Sequence, residues 1–151
     1  MAEYGFTLTR VFDAPRERVW REWTEPDAFA DWFGGPQCEV PLDSLSMDVR
    51  AGGRLRLTMY APPDRREIRW KGEYQEVVAP ERLVFTISDQ PDEVYELVMV
   101  DFADLGDGRT EIRLEQRGHM LPEQYERAKA GWGGFLDRMA ERLPGHARRP
   151  D

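Results

Sequence analysis

The stretch Leu121–Leu143, LPEQYERAKAGWGGFLDRMAERL, decides the fold. Leu121, Tyr125, Ala128, Trp132, Phe135, Met139 and Leu143 recur at spacings of three and four residues. At about 100° per residue they fall in one stripe roughly 80° wide. A helix of this length is about 33 Å long and spans a small domain. The sequence before it is nearly all strand-like. A long amphipathic helix that follows a run of strands must lay its apolar stripe across a sheet. The aromatics of that stripe then form one wall of whatever lies between helix and sheet.

Working outward, residues 4–12 alternate, with Tyr4, Phe6, Leu8 and Phe12 on one face, and Arg10 interrupting it. The period then changes. Asp13 or Ala14 caps a helix with Pro15 in its first turn, and Val19, Trp20 and Trp23 follow at helical spacing. A second short helix opens with Pro26, carries Phe29, Trp32 and Phe33 inward, and ends at Gly34-Gly35-Pro36. The middle is a meander. Val40–Val49 reads as an irregular strand. Leu55, Leu57 and Met59 alternate with charge. Ile68, Trp70, Gly72 and Tyr74 share a face with Glu76 and Val78. Leu83, Phe85 and Ile87 face inward, as do Val94, Val98, Val100 and Phe102 with Glu96 among them, and Thr110, Ile112 and Leu114. Short turns between the strands make the neighbours antiparallel. The expected fold is α+β. A curved, seven-stranded antiparallel sheet wraps around the long C-terminal helix, and two short helices follow the first strand. There is no βαβ rhythm, and Gly34-Gly35 and Gly52-Gly53 lack dinucleotide spacing, so a Rossmann domain is excluded.

The chain has 151 residues, enough for one domain; residues 1–145 are assigned to it and 146–151 to a polar tail. Lysine and arginine number 21 against 29 aspartates and glutamates, a net charge of −8. That balance disfavours nucleic acid and anionic membranes as partners. No apolar window is long enough to span a bilayer, and no signal stretch opens the chain. Cys38 is the sole cysteine, so neither an internal disulfide nor a cysteine metal cluster is expected, which suits the cytoplasm. No metal or cofactor is expected, and the chain is taken as a monomer or homodimer.

Several short pieces occur in a characteristic order. They are Arg10-Val11-Phe12-Asp13-Ala14-Pro15 running into Val19-Trp20, then Trp23-Thr24-Glu25-Pro26, Trp32-Phe33, and the Gly52-Gly53 turn. Gly72-Glu73-Tyr74, Pro80-Glu81-Arg82-Leu83-Val84-Phe85, Gly108-Arg109-Thr110-Glu111 and Gly131-Trp132 complete the series. With these the chain resembles the activator-of-Hsp90-ATPase homologues of the START/Bet v 1-like helix-grip superfamily, over nearly its whole length. The resemblance implies an elongated cavity between the sheet and the last helix. The eukaryotic namesake uses such a domain to assist the Hsp90 chaperone and carries a separate N-terminal domain, for which this sequence has no counterpart. The family pattern usually has Trp where this chain has Phe33, a change that keeps an aromatic wall but removes an indole N–H donor.

The aromatic excess has a bland reading, core filling, and a sharper one, a cavity wall. The sharper reading sets the expected lining as Phe29, Trp32, Phe33, Trp70, Tyr74, Phe85, Val98, Phe102, Tyr125, Trp132 and Phe135, with a mouth near the Trp32–Pro36 turn. Gly131 flanks the stripe and is expected to admit a neighbouring element. Arg10, Glu76 and Glu96 fall on inward faces, so each either reaches water at a sheet end or pairs inside. Enzyme motifs are absent. His119 reads as a rim residue and Cys38 as a small filler, and no catalytic residue is assigned. Binding of a hydrophobic or aromatic small molecule leads. Partner binding, including a chaperone-related role, is the alternative. A cyclase-, aromatase- or hydrolase-like enzyme on a hydrophobic substrate is the third reading.

Overall fold

The computed structural model describes residues 4–35, 37–89 and 95–143. Pro36, Val94 and the tail 146–151, all of which carry expectations above, lie outside them. The elements run β1 (Tyr4–Phe12), α1 (Arg16–Thr24), α2 (Pro26–Trp32), β2 (Ser46–Met47), β3 (Arg54–Ala61), β4 (Arg66–Val78), β5 (Arg82–Ile87), β6 (Glu96–Asp104), β7 (Thr110–Gly118) and α3 (Pro122–Arg142). The strands form one antiparallel sheet in the order β1-β7-β6-β5-β4-β3-β2. This is the helix-grip α+β fold expected from the sequence.

Strand periodicity sets the inner face. Leu55, Leu57, Phe85, Val98, Val100, Ile112 and Leu114 are all buried, and Trp70 is half-buried. The short helices close the other side. Trp23 of α1 lies at the centre. It meets Trp32 at 4.8 Å, Phe102 at 6.2 Å and Trp132 at 5.9 Å between ring centroids, the last pair stacked. The corner between β1 and α1 is pinned by Thr110, whose buried hydroxyl donates to the Ala14 carbonyl at 2.7 Å.

Three expectations need correction. Val40–Val49 is mostly not strand. The preceding Glu39 bridges Tyr60, and the stretch itself holds a 3₁₀ turn at Leu42–Ser44 and only the two residues of β2. Pro41 breaks the ladder there, because it offers no N–H. Second, Glu76 and Val78 do not share the face of Tyr74. Tyr74 pairs with Phe85 but Glu76 with Val84, so Gln75 is an extra residue, a β-bulge. Beyond it every side chain swaps face. Val77 turns inward opposite Leu83, while Glu76 reaches the surface and accepts from Arg82 at 3.1 Å. Third, Leu121 is the residue before α3, not part of its buried stripe, and is 57% exposed. The buried line of α3 is Tyr125, Trp132, Leu136, Met139, then Leu143 just past its end.

Gly72 has a packing reason. A Cβ built there would stand 1.9 Å from the Thr86 carbonyl oxygen, so only glycine lets β4 cross β5 so closely.

Candidate functional site

α3 presents two different flanks to the sheet. Its core line, Tyr125-Trp132-Leu136-Met139, is buried. About 80° to one side, Gln124, Ala128, Gly131 and Phe135 face a cavity. The cavity has a volume of about 510 Å³ and is walled by Phe33, Trp70, Ile87, Trp132 and Phe135. Ser88, Asp89, Glu96, Gln116, Met120, Gln124 and Arg127 complete the lining. That size lies within the usual range for small-molecule sites.

Gly131 explains why space remains. A Cβ added there meets nothing within 4 Å. The glycine does not serve close approach of a neighbour, as the sequence suggested. It leaves the cavity side of α3 bare. The aromatic wall is locked by ring contacts. Phe33 stands edge-on to Trp70 at 5.9 Å and to Trp132 at 6.0 Å, and Trp132 meets Phe135 at 5.3 Å.

The cavity also has a polar side, built by period-two continuation of two strands. Glu96 shares the inner face of Val98 and Val100. Gln116 continues Ile112 and Leu114. The Trp132 indole N–H donates to Gln116 Oε1 at 2.9 Å. That bond fixes the amide, so Gln116 Nε2 donates to Glu96 Oε1 at 3.2 Å. The Tyr125 hydroxyl donates to the same oxygen at 2.6 Å. Glu96 lies across Gly118, where a Cβ would approach Glu96 Oε2 to 2.1 Å. A carboxylate on the wall of an apolar cavity is therefore held directly by Gln116 and Tyr125, with Trp132 fixing Gln116, and it occupies the space that a side chain at position 118 would take. In the same wall, the buried Trp70 indole N–H has no hydrogen-bond partner among the described residues.

Of the sequence-derived lining residues, Phe33, Trp70, Trp132 and Phe135 reach the cavity. Phe29, Trp32, Tyr74, Phe85, Val98, Phe102 and Tyr125 are buried in the packed core around it. Burial pushes the Tyr74 phenol above its ordinary range, with Asp48 adding to the rise. The exposed lining residues are Asp89, Gln124 and Arg127, the last two in the first turns of α3, while Pro36 of the expected mouth lies outside the described residues. Sequence reading missed Gln116, Gln124, Arg127 and the function of Gly131. Gln116 was within reach, because it continues the alternation past Leu114.

Arg10 does face α3, where its guanidinium pairs with Asp137. The deeper ion pairs lie elsewhere. Glu22 of α1 is fully buried, and it accepts from Arg18 at 2.7 Å and from Arg142 at 2.8 Å. Hydrogen bonds to Glu22 hold the Arg142 guanidinium above its ordinary range. Among the described residues, no group of three or more His, Cys, Asp or Glu side chains is placed to hold a metal ion. Nor is any helix among them long and apolar enough to cross a membrane.

Solved structures of this shape are numerous. Protein CV1439 from Chromobacterium violaceum is 26% identical, with a TM-score of 0.79, covering 98% of this chain and 99% of that one. The AHSA1 protein from Silicibacter pomeroyi has a TM-score of 0.81 at 20% identity, covering 92% of this chain and 96% of that one. CalU16 from Micromonospora echinospora has a TM-score of 0.69 at 20% identity, covering 91% of this chain and 74% of that one. The last two show the fold alone. No curated protein matches the chain. The family described as Activator of Hsp90 ATPase homolog 1-like protein matches residues 13–144, and the chain belongs to it.

Proposed function

We propose that this chain binds a hydrophobic or aromatic small molecule between α3 and the sheet, as a single domain acting in the cytoplasm. The observation that carries the reading is the cavity of about 510 Å³ whose walls are aromatic and whose mouth is polar. An apolar guest there gains roughly 25 cal/mol for each Å² of apolar surface removed from water. The partner-binding alternative calls for a contiguous exposed apolar patch. Among the described residues the exposed large hydrophobics are Tyr4 and Val11 of β1, Val78 of β4, and Leu42, Tyr95, Leu105 and Leu121, and no single element contributes more than two of them. That distribution supports a ligand over a protein partner. Native mass spectrometry of the protein purified from its own cells tests the reading. A retained small molecule of defined mass, lost on denaturation, is the expected result. Bare protein, together with no saturable binding of apolar probes, would count against it.

A further inference from the structure

The polar side of the cavity specifies what kind of end the guest carries. Glu96 receives two hydrogen bonds, from Gln116 and from Tyr125, and both fall on Oε1. An ionised carboxylate accepts about four. The two donors that reach it are already engaged: Gln116 is turned by the Trp132 indole N–H, and Tyr125 gives its proton to Glu96. The wall therefore offers an acceptor, negatively charged and fixed in place, next to a flat aromatic surface. We infer that the guest is amphipathic, with a flat apolar body against Trp70 and Trp132 and a hydrogen-bond-donating, preferably cationic, end that binds Glu96. This rests on the cavity reading above and adds the chemistry of the head group. A charge-assisted bond of this kind is roughly twice as strong as a neutral one and is strengthened by the low-dielectric surroundings. An anionic head would instead be repelled by Glu96 and would have to turn away from it, to Arg127 at the mouth or to the Trp70 indole N–H.

The test uses three probes with one body: 2-naphthylmethylamine, 2-methylnaphthalene and 2-naphthoic acid, titrated calorimetrically into the full chain. The expected order is amine tightest, by at least about tenfold over methylnaphthalene, with the acid weakest. Glu96→Gln keeps the shape of the side chain and removes its charge. It should erase most of the amine's advantage while leaving methylnaphthalene unchanged. Equal binding of the amine and methylnaphthalene to the unaltered protein, or tighter binding of the acid, overturns the inference and leaves the cavity reading standing. If no probe binds, both fall. The comparison of head groups on the unaltered chain needs no variant, so it holds even if Glu96→Gln does not fold.

Discussion

Trp132 is the residue on which core and cavity meet. It stacks on Trp23, bonds Gln116 through its indole N–H, and shows one edge to the void. At 5% exposure it is packed like core. Trp132→Ala is expected to cost about 3–5 kcal/mol in urea unfolding. A loss under about 1 kcal/mol would make it a pocket residue only. Cys38 is the opposite case, chemically quiet. Burial raises its thiol pKa, and Arg66 offsets this only in part. A raised pKa means less thiolate at neutral pH. Alkylation by iodoacetamide at pH 8 should therefore run slower than that of a free thiol and rise at higher pH than usual. At this scale the sequence was readable wherever burial follows period. Glu96 was placed inward by its strand. Its network was not legible, because Glu96 lies on β6, Gln116 on β7 and both Tyr125 and Trp132 on α3, and they meet only through the packing of that helix on the sheet.

α3 was recognisable from its apolar spacing, yet its two flanks were not separable. Phe135 and Leu136 are adjacent and both apolar, and only the packed structure assigns Leu136 to the core and Phe135 to the cavity. The bulge at Gln75 was equally hidden, since nothing in the alternation of β4 marks where one residue is added. Two predictions belong to α3. Gly131, Gly133 and Gly134 interrupt it, but an added Cβ meets nothing closer than Arg10 Nη2 at 3.8 Å from Gly133. Gly131→Ala and Gly134→Ala should each stabilise the fold by up to about 1 kcal/mol in urea unfolding, through helix propensity alone. The end of α3 is held differently. Its link to α1 passes through a carboxylate with no exposure, whereas Arg10–Asp137 lies at the surface with Asp137 68% exposed. Arg142→Ala should thus cost about 3 kcal/mol, because Glu22 keeps only Arg18. Asp137→Ala should cost little. Equal effects of the two substitutions in thermal unfolding would contradict this ranking.

Across the whole molecule, the chain uses its aromatics twice. Trp23, Phe29, Trp32, Phe85 and Phe102 fill the grip between short helices and sheet. Phe33, Trp70, Trp132 and Phe135 stop short of filling it, and Gly131 leaves the remaining space. Aromatic content and the order of elements made the fold legible from the sequence. The exposed rim was not, because Asp89 after β5 meets Gln124 and Arg127 of α3 only in the folded chain. The central claim, that this space takes an apolar guest, is tested most directly by filling it from within. Gly131→Phe adds a ring from a Cβ position that has no neighbour within 4 Å, and far-UV circular dichroism checks that the variant is folded. Titration of the neutral dye N-phenyl-1-naphthylamine should then give saturable one-to-one binding to the parent, with quenched tryptophan emission, and at least about tenfold weaker binding to the folded variant. Unchanged dye affinity in Gly131→Phe would contradict the account.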